Sequence, residues 1–147
     1  MRYDLHLHST ASDGRLSPEQ VIDMAAEKGL GVVALTDHDT VDGIEQAVEE
    51  GNKIGLEVVP GVEISLDYKT EMHLLAYFFD DSYMKIESLL ERFRRSREER
   101  NPKMIEKLNS LGIDITMEDV VAEAKGRVVA RPHMANVMVR KGYVKTV

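Results

Sequence analysis

Residues 2–8 (RYDLHLH) alternate polar and apolar positions with period two. The alternation predicts a strand with Asp4, His6 and His8 on one face and Leu5 and Leu7 on the other. A polar loop with an Asp13-Gly14 turn signal follows. Ser17-Pro18-Glu19-Gln20 then opens a helix: Ser17 caps it, Pro18 fits the first turn and Gln20 completes a capping box. Val21, Ile22, Met24 and Ala25 supply its apolar face and Gly29 its stop. Residues 31–35 (GVVAL) read as a short buried strand running into Thr36-Asp37-His38-Asp39. A second helix is expected over 41–54, with Ile44, Ala47, Val48 and Ile54 inward and Gly55 at its end. Leu56 to Val59 form a third strand, extended again over 62–66 after Pro60-Gly61. Met72 to Phe79 form a fourth, apolar on both faces.

Strand, helix, strand, helix, strand at this spacing predicts an α/β chain of βα units forming a parallel sheet or barrel. From Ser82 the pattern becomes almost entirely helical. This divides the chain into a βα part, 1–81, and a helical part, 82–147. Residues 83–111 make one long helix or two, interrupted near Asn101-Pro102. Thr116, with Asp119 at capping-box distance, starts another, and a last helix begins around Arg131-Pro132.

At 147 residues, 43% hydrophobic and 31% charged, the chain fits one ordinary globular domain. It contains no cysteine, which excludes disulfides and thiolate-bound zinc, so any metal site must use His, Asp and Glu. No stretch approaches the roughly 20 apolar residues of a membrane span. Met1 leads almost directly into the first strand, with no room for a signal peptide, and the expected location is the cytoplasm. The net charge of −7 is unevenly spread. Residues 1–81 hold 5 Lys+Arg against 17 Asp+Glu, a net −12, whereas 82–147 hold 14 against 9, a net +5. An acidic front suits cations and a basic back suits an anionic ligand.

His6-Leu7-His8 is the sharpest local signal. Two residues apart on a strand, both imidazoles point the same way, with backbones roughly 6.5–7 Å apart, and they can converge on one ion about 2.1 Å from each ring nitrogen. His38 lies just past the second strand, Glu63 at the end of the third and Asp13 in the loop leaving the first. Barrel enzymes collect catalytic groups at these strand ends. His73 fits less neatly, because it falls near the beginning of its strand.

Asp-Leu-His-Leu-His-Ser (4–9), Asp13-Gly14, Thr36-Asp37-His38-Asp39, Pro60-Gly61-Val62-Glu63 and Met72-His73-Leu74 together resemble the PHP (polymerase and histidinol phosphatase) superfamily. The nearest likeness is to its stand-alone metal-dependent phosphoesterases, which include nucleoside 3′,5′-bisphosphate phosphatases and 5′-end-directed nucleases. The resemblance implies the N-terminal part of a distorted (β/α)7 TIM-like barrel followed by an all-helical insertion over the barrel mouth. It implies two or three divalent ions, manganese first and iron or zinc as alternatives. By the family's motifs His6, His8, Asp13, His38, Glu63 and His73 are the metal ligands, Glu63 bridging, with the attacking water activated where His6, His8 and Glu63 meet. Asp37 and Asp39 are expected to orient imidazoles. Asp4 either does the same or ties down the start of the chain.

The substrate implied is a phosphorylated small molecule, a nucleotide or an oligonucleotide end. Arg100, Asn101, Arg131 and His133 are its candidate contacts, with Arg127 beside them, because guanidinium forks match phosphate. Arg92 to Arg97 read instead as a solvated helix face, with Arg94 and Glu98 an i,i+4 pair. Phe78, Phe79 and Phe93 read as core, and Met104, Ile105 and Leu108 as a packing stripe. Only four of about seven barrel strands are present, and the family's later His and Asp-x-His have no counterpart. The chain therefore reads as the N-terminal portion of a longer protein, prone to associate through open strand edges. Two alternatives stand beside phosphoester hydrolysis: an amidohydrolase-type metal hydrolase, and a non-catalytic PHP module.

Overall fold

A computed structural model describes residues 2–66, 72–126 and 128–147. Four strands, β1 (Tyr3–Leu7), β2 (Val32–Leu35), β3 (Glu57–Leu66) and β4 (Met72–Tyr77), form one sheet in the order β1-β2-β3-β4. The first three run parallel, linked by α1 (Pro18–Glu27) and α2 (Ile44–Ile54), as two consecutive βα units require. β4 instead pairs antiparallel with β3, in a register that sets Glu63 opposite Leu75 and Ser65 opposite His73.

The capping box on α1 forms as expected. Ser17 accepts from the Gln20 backbone N–H, and the Gln20 side chain accepts from the Ser17 N–H. Val21, Ile22 and Ala25 of α1 and Ala47 of α2 pack on Val33 and Leu35 of β2, with Leu56 closing the cluster. Met24 and Ile54 are substantially exposed, since they fall on the flanks of narrow apolar stripes. Both helices lie on one side of the sheet, leaving the His6 and Glu63 side as the concave face. Its curvature can be read from one bond. The Tyr77 hydroxyl of β4 donates to the Leu5 carbonyl of β1 at 2.9 Å. Three strand spacings separate these strands, roughly 14 Å on a flat sheet, too far for one side chain. The sheet is therefore curled, consistent with part of a PHP or TIM-like barrel.

Beyond β4 every described element is helical: a short 3-10 turn (Asp81–Lys85), then α3 (Glu87–Ser110), α4 (Met117–Glu123) and α5 (Arg131–Arg140). α3 is a single helix running through Pro102. Proline removes one backbone bond, but Leu90, Arg97, Asn101 and Ile105 are buried along one stripe on both sides of it and hold the helix in register. Thr116 and Asp119 make the expected capping box on α4. A second core gathers Ile105, Ile115, Val120, Met134 and Val137, with Met104 and Leu108 packed against it. Phe79, expected inside, is 95% exposed, because β4 ends at Tyr77 and Phe79 lies in the bend that follows.

Candidate metal centre

Six side chains from four strand ends meet on the concave face. His6 projects from β1, and His8 lies just beyond it on the same side. Gly14 brings Asp13 back to them. A β-carbon there would stand 2.4 Å from the His8 carbonyl oxygen, so only glycine lets the loop fold this tightly. His38 follows β2 and bridges in parallel to Glu63, three residues beyond the last β2–β3 pair. His73 is the second residue of β4. Because β4 runs antiparallel, its beginning lies beside the end of β3. The position that fitted the sequence pattern poorly is thereby brought to the same end of the sheet as the rest.

The Glu63 carboxylate is the hub. Its Oε2 lies 3.0 Å from His6 Nε2, 2.9 Å from His8 Nε2 and 3.4 Å from His38 Nδ1, and its Oε1 lies 2.7 Å from His73 Nδ1. Asp13 forms a second focus, with Oδ1 3.0 Å from His8 Nδ1 and Oδ2 3.7 Å from His38 Nε2. His8 and His38 thus each present one nitrogen to each carboxylate. Three overlapping groups have donor atoms within 4.8 Å of one another: His6, His8 and Glu63; His8, Asp13 and His38; and His38, Glu63 and His73. His38 Nδ1 is buried without a hydrogen-bond partner. An orphaned imidazole nitrogen aimed at a carboxylate, in an oxygen- and nitrogen-only donor set, fits a divalent cation.

The electrostatics separate the two shared histidines. Burial works against charge on His8, but its hydrogen bond to Asp13 and the carboxylates of Asp13, Asp37 and Glu63 outweigh burial and raise its pKa. His38 is pushed down to about 4, by burial first and then by the nearby Arg97 guanidinium, despite Asp13 and Glu63. Asp13 falls to about 2. Burial opposes this, but the His8 hydrogen bond and the charges of His38, His8 and His133 prevail. Glu63 is likewise lowered: burial is outweighed by the His6 hydrogen bond, the His38 charge and the His73 hydrogen bond. The carboxylates are ionised and His38 is neutral near pH 7, the forms in which these groups bind metal.

The supporting aspartates act on loops rather than on imidazole rings. Asp37 accepts from the Ser9 N–H (2.8 Å), the Ser9 hydroxyl (2.7 Å) and the Ser12 hydroxyl (2.6 Å), tying the Asp13 loop to the end of β2. Asp39 accepts from the Ser65 N–H at 2.8 Å and from Arg97 Nε at 2.6 Å. Asp4 accepts from the His6 N–H at 3.2 Å, a local tie at the start of the chain. Arg97, read from the sequence as solvated, is 7% exposed. The signal was present in the stripe Leu90, Arg97, Asn101, Ile105, whose helical spacing places Arg97 on the buried side. Arg94 pairs with Glu87 at 2.5 Å and donates to the Asp39 carbonyl, and is not paired with Glu98 in this way. The i,i+4 pair is Arg95 with Glu91.

The four expected substrate contacts lie on α3 and α5, two of them exposed and two buried. Arg100 and Arg131 are exposed. Asn101 is buried, donating to the Val129 carbonyl at 2.9 Å with its Oδ1 unpartnered. His133 is buried as well. Its Nδ1 accepts from the Ala130 N–H at 3.0 Å, and the ring also meets the Ser12 backbone beside Asp13. Arg127 lies outside the described residues. A cleft of about 360 Å³ opens beside Asp13, lined by Arg15, Lys125, His133, Asn136 and Arg140 among others. Arg15, Lys125 and Arg140 carried no signal in the sequence, being isolated charges on separate elements. No helix among the described residues is long and apolar enough to cross a membrane.

Comparison with known proteins matches a family model, the PHP domain, to residues 4–123. A 5′-3′ exoribonuclease of Haemophilus influenzae is 39% identical over 144 residues, 97% of this chain and 52% of the relative. A 3′,5′-nucleoside bisphosphate phosphatase of Chromobacterium violaceum is 32% identical over 144 residues, 97% of this chain and 50% of the relative. A Bifidobacterium adolescentis crystal structure, provisionally assigned as a metal-dependent phosphoesterase, superposes with a TM-score of 0.87 at 36% identity, covering 99% of this chain and 52% of that one. The chain spans about half the length of the curated relatives it matches. It belongs to the PHP domain family.

Proposed function

We propose that this PHP-domain chain contributes most of a divalent-metal centre that hydrolyses phosphate esters of nucleotides or of oligonucleotide ends. The observation that carries the proposal is the Glu63 carboxylate, buried and facing four imidazoles, with Asp13 as a second anionic focus. Two or three ions fit the three donor groups. Manganese is the choice we favour for a mixed imidazole and carboxylate set, with iron or zinc next. Bound there, divalent ions supply an activated water near neutral pH and neutralise phosphoryl oxygens.

The residues' own contributions follow from their positions. Glu63 presents its two oxygens to different histidines and would be the ligand shared between ions. His6 is the most exposed of the ligands that face Glu63 Oε2. This exposure supports a reacting phosphate at the His6, His8 and Glu63 end. Arg100 and Arg131, exposed on the basic helical part, would meet the substrate's charge. Asn101 offers an unpartnered carbonyl oxygen to a donor on the ligand. His133 stands beside Asp13 in the wall of the cleft, with Arg15, Lys125 and Arg140 for a further phosphate. Relatives whose names specify exoribonuclease and bisphosphate phosphatase activity support this substrate class. A cytoplasmic setting completes the proposal. The region from residue 82 is read as the helical insertion over the site.

The test is elemental analysis of the purified chain, followed by assay with added manganese. The panel holds nucleoside 3′,5′-bisphosphates, 5′-phosphorylated oligonucleotides, amides and lactones. Release of phosphate or mononucleotides, abolished by Glu63→Gln, is expected. Turnover of amides or lactones alone would support the amidohydrolase alternative, and no retained ion would support an inert module.

A further inference from the structure

Arg97 lies on α3, yet its guanidinium is bound to two separate pieces of the sheet. Nε donates to Asp39 Oδ2 at 2.6 Å and Nη2 donates to the Ser65 hydroxyl. Asp39 adjoins His38, and Ser65 follows Glu63 by two residues on the same face of β3. Asp39 holds a positive φ of 50°, a conformation that costs energy for any residue but glycine and is eased for Asp and Asn. The turn is buried and tied to β3 by three bonds. Asp39 N–H donates to the Glu63 carbonyl (3.0 Å), Glu63 N–H to the Asp37 carbonyl (3.1 Å), and Ser65 N–H to Asp39 Oδ1 (2.8 Å). Arg94 adds a bond to the Asp39 carbonyl at 2.9 Å.

We infer that Arg97 is a positioning residue of the metal centre: its fork joins the His38 turn to the Glu63 strand and sets the separation of those two ligands. Helix α3 thereby couples the helical part of the chain to ion affinity without touching an ion. This rests on the metal-centre reading above. A buried ion pair adds little net stability compared with a well-packed apolar pair. The geometry supplies what simple stabilisation does not: one planar group satisfies a turn and a strand at once. Of the three donor groups, the two that contain His38 depend on this turn. His6, His8 and Glu63 stand on or just beyond strands β1 and β3 and depend on it less.

The experiment titrates the metal-freed full chain with manganese alone, comparing wild type with Arg97→Met, Arg97→Lys, Asp39→Asn and the Arg97→Met/Asp39→Asn pair. Thermal unfolding of each in chelator reports folding separately. Asn tolerates the turn and can still accept from Ser65, so Asp39→Asn removes chiefly the link to Arg97. Wild type should bind two or three ions. Arg97→Met and Asp39→Asn should each weaken the ions that use His38 about 10- to 100-fold, the range for residues that orient metal ligands. The pair should be no worse than Arg97→Met alone, since that variant has already lost the one contact Asp39→Asn breaks. Arg97→Lys keeps the charge but not the fork, and should resemble Arg97→Met. Wild-type affinity and ion count in folded Arg97→Met would overturn the inference, as would full rescue by Lys or losses that add in the pair. If Arg97→Met does not fold, Asp39→Asn and Arg97→Lys decide it by the same comparison. Wild type binding no ion would overturn the metal centre itself. Wild type binding ions while the variants match it overturns only the role of Arg97.

Discussion

Gly14→Ala is the sharpest single perturbation of the centre, because its effect follows from one distance. The added β-carbon would meet the His8 carbonyl oxygen at 2.4 Å, the His8 carbonyl carbon at 2.7 Å and the Ser9 carbonyl carbon at 2.8 Å, all backbone atoms. Restoring even a tight 3.0 Å contact requires the loop to move by about 0.6 Å. The Asp13 loop sits at that point, with Asp13 Oδ1 3.0 Å from His8 Nδ1. Overpacking of this kind costs about 1–3 kcal/mol, against a gain of about 0.4–1 kcal/mol from a less flexible unfolded chain. The mid-range difference is about 1.3 kcal/mol; at roughly 2–4 °C per kcal/mol for a chain of this size, the metal-free melting temperature should fall by roughly 3–5 °C. Manganese binding should weaken as well, because Asp13 is displaced from His8 and His38. The assay pairs thermal unfolding in chelator with a manganese titration. Gly29→Ala serves as the control: Gly29 has a φ of +72° with nothing within 4 Å of an added β-carbon, so it should lose stability and keep its metal. A Gly14→Ala protein with unaltered melting temperature and unaltered ion affinity would refute the reasoning.

Glu63→Gln keeps the size of the hub but removes its charge; elemental analysis should show fewer bound ions, with the fold intact by circular dichroism. Asp37→Ala strands the Ser9 N–H and two serine hydroxyls, at a cost of about 3 kcal/mol, and should lower both the chelator melting temperature and manganese affinity. Leu90→Ala opens a cavity under α3, costing about 2–5 kcal/mol in thermal unfolding with no change in ion count. The metal-free protein should be most stable near pH 6.5. His38, lowered from 6.5 to about 4, contributes stability that is present above 6.5 and lost as the pH falls towards 4. His8, raised from 6.5, contributes stability that is complete below 6.5 and lost as the pH rises through its folded value. Melting temperatures across pH 4–8 in chelator check this, and a steady rise to pH 8 would contradict the assignment for His8.

The elements and the candidate donor residues were legible in one dimension because both follow short-range rules. Period-two alternation put His6 and His8 on one face of β1, and capping residues marked Ser17 and Thr116. The loop after β1, the turn after β2 and the second half of β3 delivered Asp13, His38 and Glu63. Helical spacing likewise marked the Ile105 stripe that became the second core.

What depended on the third dimension was direction and partnership. His73 joins the centre because β4 turns back against β3, and no local pattern encodes the sense of a strand. Arg97 leaves the solvated face for Asp39 and Ser65, 58 and 32 residues away in sequence, while Phe79 is left outside where its strand stops short. Asp37 and Asp39 hold loops rather than rings for the same reason. Periodicity says which way a side chain faces on its own element. Only the packing of one element on another decides what it meets there, because a side chain's partner is set by contacts distant in sequence.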